Sequence, residues 1–238
     1  MEGKVPEAYR IREAAKNVLR VAVINKEANK EKLKRIPHAV FADLAVVPIV
    51  ATSADMPMKM YRNVIPERAM LEGIFENIDK DEDGTTKDAR VIMTALGNAV
   101  KKYPPEITGM REMLLRIAEE TPELREEFDE LMQEPETGTE NGPEMYVATT
   151  AGGYMGAGVM VYPGFLEEAA EKVGGSFYII PSSVHEVVLV QMERKEGMDN
   201  GLSGLVHDVN IGMVEEEDRL SDNVYYYDHR SKRLSVYK

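Results

Sequence analysis

The fold of this chain is decided by residues 177–190, which read Phe177-Tyr178-Ile179-Ile180-Pro181-Ser182-Ser183-Val184-His185-Glu186-Val187-Val188-Leu189-Val190. Two runs of β-branched and aromatic residues flank a short polar joint, and such runs are typical of strands. We therefore predict two neighbouring strands, 176–180 and 186–192. The joint between them holds the one cluster in the sequence that resembles a reactive site.

The residues after 143 change in character and become rich in strand-like segments. The predicted elements around the central pair are a hairpin at Met145–Thr150 and Ala157–Tyr162, a helix at Gly164–Val173, a helix at Leu202–Val214, and a last hairpin at Val224–Tyr227 and Leu234–Tyr237. The order ββαββαββ predicts a largely antiparallel sheet with helices on one face.

The first half of the chain is predicted to be mainly helical, so the expected fold class is α+β with a helical N-terminal half. The predicted elements are helices at Pro6–Val23, Lys30–Ile36, Glu67–Ile78, Ala95–Tyr103 and Glu106–Glu120, and a strand at Ala89–Thr94. Residues 40–51 are almost continuously apolar and predict a buried strand or a short buried helix. Pro48 argues against a central strand there.

A stretch without apolar residues, 133–143, is the best candidate boundary in the chain. It suggests a mainly helical region at 1–132, a flexible connector at 133–143 and an α+β region at 144–238. One composite domain is the alternative, because 238 residues suit either arrangement.

Composition excludes several kinds of chemistry. The chain has no cysteine, which removes disulfides, thiolate catalysis and cysteine-ligated metal sites. Its formal net charge is −13, and an acidic chain repels phosphate backbones, so nucleic-acid binding is disfavoured. Residues 1–37 carry ten Lys/Arg against five Asp/Glu, whereas residues 106–144 carry three against thirteen. The basic segment could contact an acidic partner, although a solvated helix face is the more usual role.

The N-terminal residues MEGKVPEAYR contain no apolar core of a signal peptide, and no apolar run approaches the ~18 residues of a membrane span. We therefore expect a cytoplasmic protein without membrane contact.

Residues 79–85 match the first half of a calcium-binding loop. Asp79, Asp81 and Asp83 stand where carboxylate ligands are needed, and Gly84 where the loop turns sharply. The second half departs from the pattern, because Arg90 stands where a bidentate glutamate is required. A solvated acidic turn is therefore the prediction, and calcium binding is the weaker alternative.

The polar joint could be read as a hydrolase site in which Ser183 is the nucleophile, His185 the base and Glu186 the orienting acid, with Asp208 as a further candidate. In an extended chain Ser183 and His185 would point to one side and Glu186 to the other, and no strand–helix elbow surrounds the serine. The structural interpretation is a Pro-Ser-Ser joint whose hydroxyls bond nearby backbone groups.

Asp43 lies inside the apolar run 40–51. A carboxylate in such a place is usually a cap or a paired structural group and less often catalytic.

Several stretches together resemble a bacterial family known as domain of unknown function 5688. They are Asn25–Asn29, Ile36–His38, Asp43–Val47, Ile117–Pro122, Met145–Val147, Ile179–Glu186, His207–Asn210 and Leu220–Asp228. Residues 52–88 fit this pattern poorly, and members of the family usually carry further N-terminal residues. The resemblance implies an intracellular accessory role for a protein whose relatives are often encoded near mobile elements. It implies no particular activity.

Three functions follow as hypotheses. The first is a non-enzymatic binding or regulatory module that acts through protein contacts, without a cofactor. The second is a hydrolase-like enzyme using Ser183, His185 and Glu186. The third is a calcium-responsive role of the loop at Asp79. The sequence indicates no substrate and no oligomeric state.

Overall fold

A computed structural model describes residues 13–50, 65–72, 74–75, 85–120, 144–181, 183–191 and 214–237. Within these ranges the chain has an α+β fold with two antiparallel sheets, one of three strands and one of six. Four of the nine strands lie before residue 110, so the predicted helical N-terminal half is wrong.

The first strand, β1 Leu19–Asn25, stands where the second half of the helix Pro6–Val23 was predicted. Among the residues described, only 13–17 of that prediction are helical. Every side chain from Leu19 to Ile24 is buried, because the two faces of the strand pack into two different apolar clusters. A strand buried on both faces shows no apolar–polar alternation, so its pattern resembles that of a helix.

The described residues of the apolar run, 40–50, lie in a hairpin of β2 Ala39–Phe41 and β3 Leu44–Val50, joined by Ala42 and Asp43. The strand order is β1-β3-β2, so Pro48 does lie in the central strand, against our expectation. β2 pairs only with residues 44–46, and Pro48 faces Val21 of β1 alone. The missing N–H of Pro48 is tolerated because the second neighbouring strand ends before it.

The helices described between β1 and residue 105 are α1 Lys30–Leu33, α2 Arg68–Glu72 and α3 Thr85–Lys102. α3 is one continuous helix and replaces the predicted strand Ala89–Thr94 and helix Ala95–Tyr103. Val91, Ile92, Ala95 and Ala99 recur at helical spacing and are buried in the main core, which explains why β-branched residues occupy a helix here.

Residues 105–120 also differ from the single helix predicted at Glu106–Glu120. They form β4 Pro105–Gly109 followed by α4 Met110–Glu120. β4 pairs with β5 Met145–Thr150 at the edge of the large sheet. The large sheet therefore contains a strand from each side of the stretch 133–143, and the domain division proposed above stays a prediction.

Besides β4 and β5, the large sheet contains β6 Phe177–Ile180, β7 Val187–Gln191, β8 Val224–Asp228 and β9 Arg233–Tyr237. Its strand order is β4-β5-β7-β6-β8-β9. The central pair and the last hairpin are where the sequence predicts them. The predicted helix after residue 163 is present as α5 Phe165–Val173, which ends at Gly174 with φ 91°. The predicted helix Leu202–Val214 lies almost entirely outside the described residues.

The predicted strand Ala157–Tyr162 is wrong, and with it the order ββαββαββ. Residues Gly156–Val161 form a 3-10 helix, and a second 3-10 helix covers Glu216–Asp218. Gly158 lets the first of these approach β1 closely, since a Cβ at this position would lie 3.2 Å from the Val21 carbonyl oxygen. Main-chain proximity rather than strand pairing therefore decides the conformation of this segment.

Candidate functional site

The corner between β6 and β7 carries the predicted reactive residues, and a distant segment of the chain holds it. The Val184 N–H donates to the Asp218 carbonyl at 2.9 Å, and the Ser221 N–H donates to the Pro181 carbonyl at 3.0 Å. Between these two bonds, Ser183 and Arg219 form an isolated antiparallel bridge. The corner therefore has backbone partners although it belongs to neither strand.

Ser183 lies inside this corner and is buried. Its Oγ accepts a hydrogen bond from the His185 N–H at 3.0 Å, and its hydroxyl bonds the Glu186 side chain. The chain bends at residues 184 and 185, so Glu186 comes to Ser183 rather than to the opposite side that an extended chain would give. Ser182 lies outside the described residues.

The imidazole of His185 has partners other than the serine. Its Nδ1 accepts a hydrogen bond from the Met155 N–H at 3.2 Å, and its Nε2 lies 3.6 Å from Asp218 Oδ1. These contacts fit the tautomer that carries its proton on Nε2. In the described contacts, neither ring nitrogen reaches the Ser183 hydroxyl, which is the contact that a general base requires.

The main chain of His185 completes the packing of the corner. Its carbonyl accepts a hydrogen bond from Thr149 Oγ1 at 2.7 Å. Gly156 lies so close that a Cβ there would be 2.5 Å from the same carbonyl oxygen. β5 and the 3-10 helix at Gly156 thus hold His185 through both its side chain and its main chain.

Glu186 has a raised pKa, chiefly because burial disfavours its charged form. The hydrogen bond from Ser183 and the nearby His185 oppose this shift only in part. A carboxyl group with a raised pKa in the folded state stabilises the fold less as pH rises from the unfolded-state pKa, about 4.3, to the folded-state pKa.

We therefore expect Glu186→Gln to become more stable relative to the wild type as pH rises through that window. Glutamine keeps an oxygen that can accept from Ser183 and never ionises. Urea denaturation at about pH 4 and pH 7 measures the difference, with the exposed Glu106→Gln as the control. If the difference in free energy of unfolding between Glu186→Gln and the wild type does not change with pH, the raised pKa of Glu186 is contradicted.

A second polar cluster, which the sequence did not predict, surrounds Asp43. The carboxylate accepts hydrogen bonds from Ser221 Oγ at 2.6 Å, from Asn223 Nδ2 at 2.9 Å and from the Tyr225 hydroxyl. Burial raises the pKa of Asp43, but these hydrogen bonds, together with one from the backbone, outweigh it, and the pKa is lowered overall. Asp43 is thus a paired structural group whose partners lie about 180 residues later in the chain.

The Asp43 cluster joins the two sheets. Asp43 lies in the β2–β3 turn of the small sheet, whereas Tyr225 belongs to β8 of the large sheet. Asn25, at the end of β1, adds a hydrogen bond from its Nδ2 to the Leu220 carbonyl at 3.0 Å. The segment 218–223 therefore contacts the Ser183 corner at one end and the small sheet at the other.

A buried arginine forms a third polar feature. Arg20 on β1 lies over the rings of Tyr103 and Tyr154, with its guanidinium carbon 4.6 Å and 5.3 Å from their centroids. It also donates to the Tyr154 carbonyl at 2.8 Å. Burial raises the pKa of nearby Tyr162 to about 12, against the effect of Arg20. Such stacking suits a guanidinium held in an aromatic core.

The sequence pattern of the family described as "Family of unknown function (DUF5688)" matches residues 5–229 of this chain. The chain belongs to this family. No curated protein and no solved structure matches it. In the described part of this DUF5688 protein, no helix is long and apolar enough to span a bilayer.

Four of the eight stretches that carry the resemblance to DUF5688 meet in space. Asn25, Asp43 and the segment 220–225 form the Asp43 cluster, and residues 179–186 form the corner beside it. In this DUF5688 protein, residues 220–225 therefore contact the three other stretches.

The remaining candidates stay predictions. Asp79, Asp81, Asp83 and Asp208 lie outside the described residues of this DUF5688 protein. In the described ranges, no group of three or more His, Asp or Glu side chains could hold a metal ion.

Proposed function

We propose that this chain is a cytoplasmic, non-enzymatic binding or regulatory module that acts through protein contacts. The observation that supports it is the geometry of the Ser183 corner. The serine oxygen accepts from a backbone N–H, and the imidazole accepts from the backbone of Met155 and faces Asp218. Both side chains are thus held by main-chain groups and by neighbouring carboxyl groups, which is the arrangement of a structural joint.

The alternative is a hydrolase-like enzyme that uses Ser183, His185 and Glu186. The observation in its favour is that Glu186 contacts the serine hydroxyl and has a raised pKa, which is common among catalytic carboxyl groups. For catalysis, the imidazole would have to leave Met155 and turn its Nδ1 toward the serine.

We expect a fluorophosphonate probe, which reacts with activated serines, to leave Ser183 unmodified, because in the described contacts the imidazole of His185 bonds Met155 and faces Asp218 and does not reach the serine hydroxyl. Intact-protein mass spectrometry measures the modification. Ser183→Ala and the exposed Ser235→Ala are the matched variants. A modification that disappears in Ser183→Ala and remains in Ser235→Ala would overturn the proposal and favour the hydrolase.

The binding part of the proposal has its own test. A partner identified in the cells of origin should bind in a fixed ratio, and it should capture this chain when it is itself immobilised. Binding that survives Ser183→Ala and His185→Gln is expected, since the corner is not the contact surface. Catalytic turnover of the identified partner would contradict the proposal.

A further inference from the structure

Seven large apolar side chains in the described residues are exposed, and five of them stand on separate elements or turns. The other two, Met93 and Val100, share one face of α3, with 65% and 40% of their surface exposed. They are seven residues apart, which places them on the same side of a helix. The buried face of α3 carries other residues, so the core does not need these two side chains.

The space between Met93 and Val100 is open. Gly97 lies on the same face, and a Cβ at this position would meet no atom within 4 Å. Ala89 extends the exposed stripe by one turn toward the N-terminus. The outer face of α3, defined by Ala89, Met93, Gly97 and Val100, is thus apolar with a shallow gap at its centre.

Two cations line one side of this outer face. Arg90 and Lys101 are exposed, and each follows a residue of the apolar stripe. They are eleven residues apart, which is three helical turns or about 16 Å along the axis. The one carboxylate of α3, Asp88, is engaged by Arg68 of α2 at 2.5 Å. An otherwise acidic chain, with net charge −13, therefore presents a basic rim at this face.

We propose that the outer face of α3 is the docking surface for an acidic amphipathic helix of a partner protein. The partner's apolar side chains would cover Met93 and Val100, and one of them would fill the gap at Gly97. Its carboxylates, about three turns apart, would face Arg90 and Lys101. This inference rests on the proposed binding function and names the surface that performs it.

The first experiment uses two synthetic helical peptides with the same leucine stripe, one with a glutamate rim and one with a lysine rim. Fluorescence anisotropy with the full chain measures their affinities. We expect the glutamate-rim peptide to bind about tenfold or more tightly than the lysine-rim peptide. The double variant Arg90→Glu with Lys101→Glu should reverse that preference.

The second set of variants tests the apolar stripe. Met93→Gln with Val100→Gln should weaken binding of the glutamate-rim peptide about tenfold or more. The matched controls are Met70→Gln, which is 67% exposed on α2, and Arg230→Glu with Arg233→Glu in the last hairpin. Both controls should bind like the wild type, and thermal melts verify that every variant folds.

Each failure has a different meaning. If the control substitutions weaken peptide binding and the α3 substitutions do not, the assigned face is wrong and the proposed function still stands. Three results would contradict an acidic helix as the partner. They are binding of neither peptide, binding of duplex DNA instead, and a dimer of this chain that dissociates in the Met93→Gln variant. Probe modification at Ser183 would overturn the proposed function whatever the peptides do.

Discussion

Gly156→Ala is expected to unfold the protein or to lower its free energy of unfolding by roughly 3 kcal/mol, because no space exists for a methyl group there. A Cβ would lie 1.9 Å from Thr149 Oγ1, 2.5 Å from the His185 carbonyl oxygen and 2.8 Å from the Thr150 nitrogen. Thr149 can rotate away, but the other two atoms belong to the main chain. Urea denaturation followed by circular dichroism measures the effect.

Two further variants isolate the cause of this loss. Gly97→Ala makes the same chemical change in open space inside a helix, and it should stabilise the protein by about 0.5–1 kcal/mol. Thr149→Ala in the Gly156→Ala background should restore only part of the loss, since the contact with the His185 carbonyl remains. A fully restored double variant would show that the threonine alone sets the size of this site.

The corner could be predicted from sequence because its signals are local. Two β-branched runs flank Pro181, and Gly174 adopts the left-handed conformation that ends α5. The last hairpin could also be predicted from local signals. All three tyrosines of Tyr225–Tyr227 are nevertheless buried, because alternate side chains enter different clusters on the two faces of the sheet.

Two of the errors, at β1 and α3, have one physical cause, which is burial by other parts of the fold. β1 resembled a helix because both its faces are covered, and the strand that pairs with it begins almost twenty residues later. Val91 and Ile92 favoured a strand by propensity, yet the regular spacing of buried positions makes α3 a helix. Tertiary context overrode local preference in both places.

The Asp43 cluster lay beyond prediction for the same reason. The apolar run around Asp43 indicated a structural carboxylate, but nothing near it in the chain indicates Ser221, Asn223 or Tyr225. The segments around Asp43 and around Ser221 both belong to the stretches that resemble the family, but a resemblance in sequence does not indicate which stretches are in contact. Only the three-dimensional structure relates the two halves of this cluster.

Asp43→Asn is expected to lower the free energy of unfolding at neutral pH by about 2–3 kcal/mol, because hydrogen bonds to a charged group are lost. The amide presents one oxygen and one NH₂ where the carboxylate accepted three donors. If the NH₂ replaces Oδ2, it meets the NH₂ of Asn223. If it replaces Oδ1, the fully buried Tyr225 hydroxyl loses its acceptor.

The dependence on pH identifies the charge as the cause. The folded-state pKa of Asp43 is lowered, so its stabilisation is complete above the unfolded-state pKa of about 3.9 and disappears as pH falls through the folded-state pKa. The wild type and Asp43→Asn should therefore differ fully at neutral pH and converge below about pH 4. A difference that stays constant down to the acid transition would contradict the lowered pKa.

A double-mutant cycle with Tyr225→Phe measures the contact itself. Tyr225→Phe alone should destabilise the protein, and its effect should shrink in the Asp43→Asn background because the two groups bond each other. Tyr227→Phe is the matched control, since this tyrosine is equally buried on the same strand, and its hydroxyl has no hydrogen-bond partner among the described residues. Its effect should add to that of Asp43→Asn. Equal coupling for both tyrosines would mean that Asp43 acts through the position of β8 rather than through the Tyr225 hydroxyl.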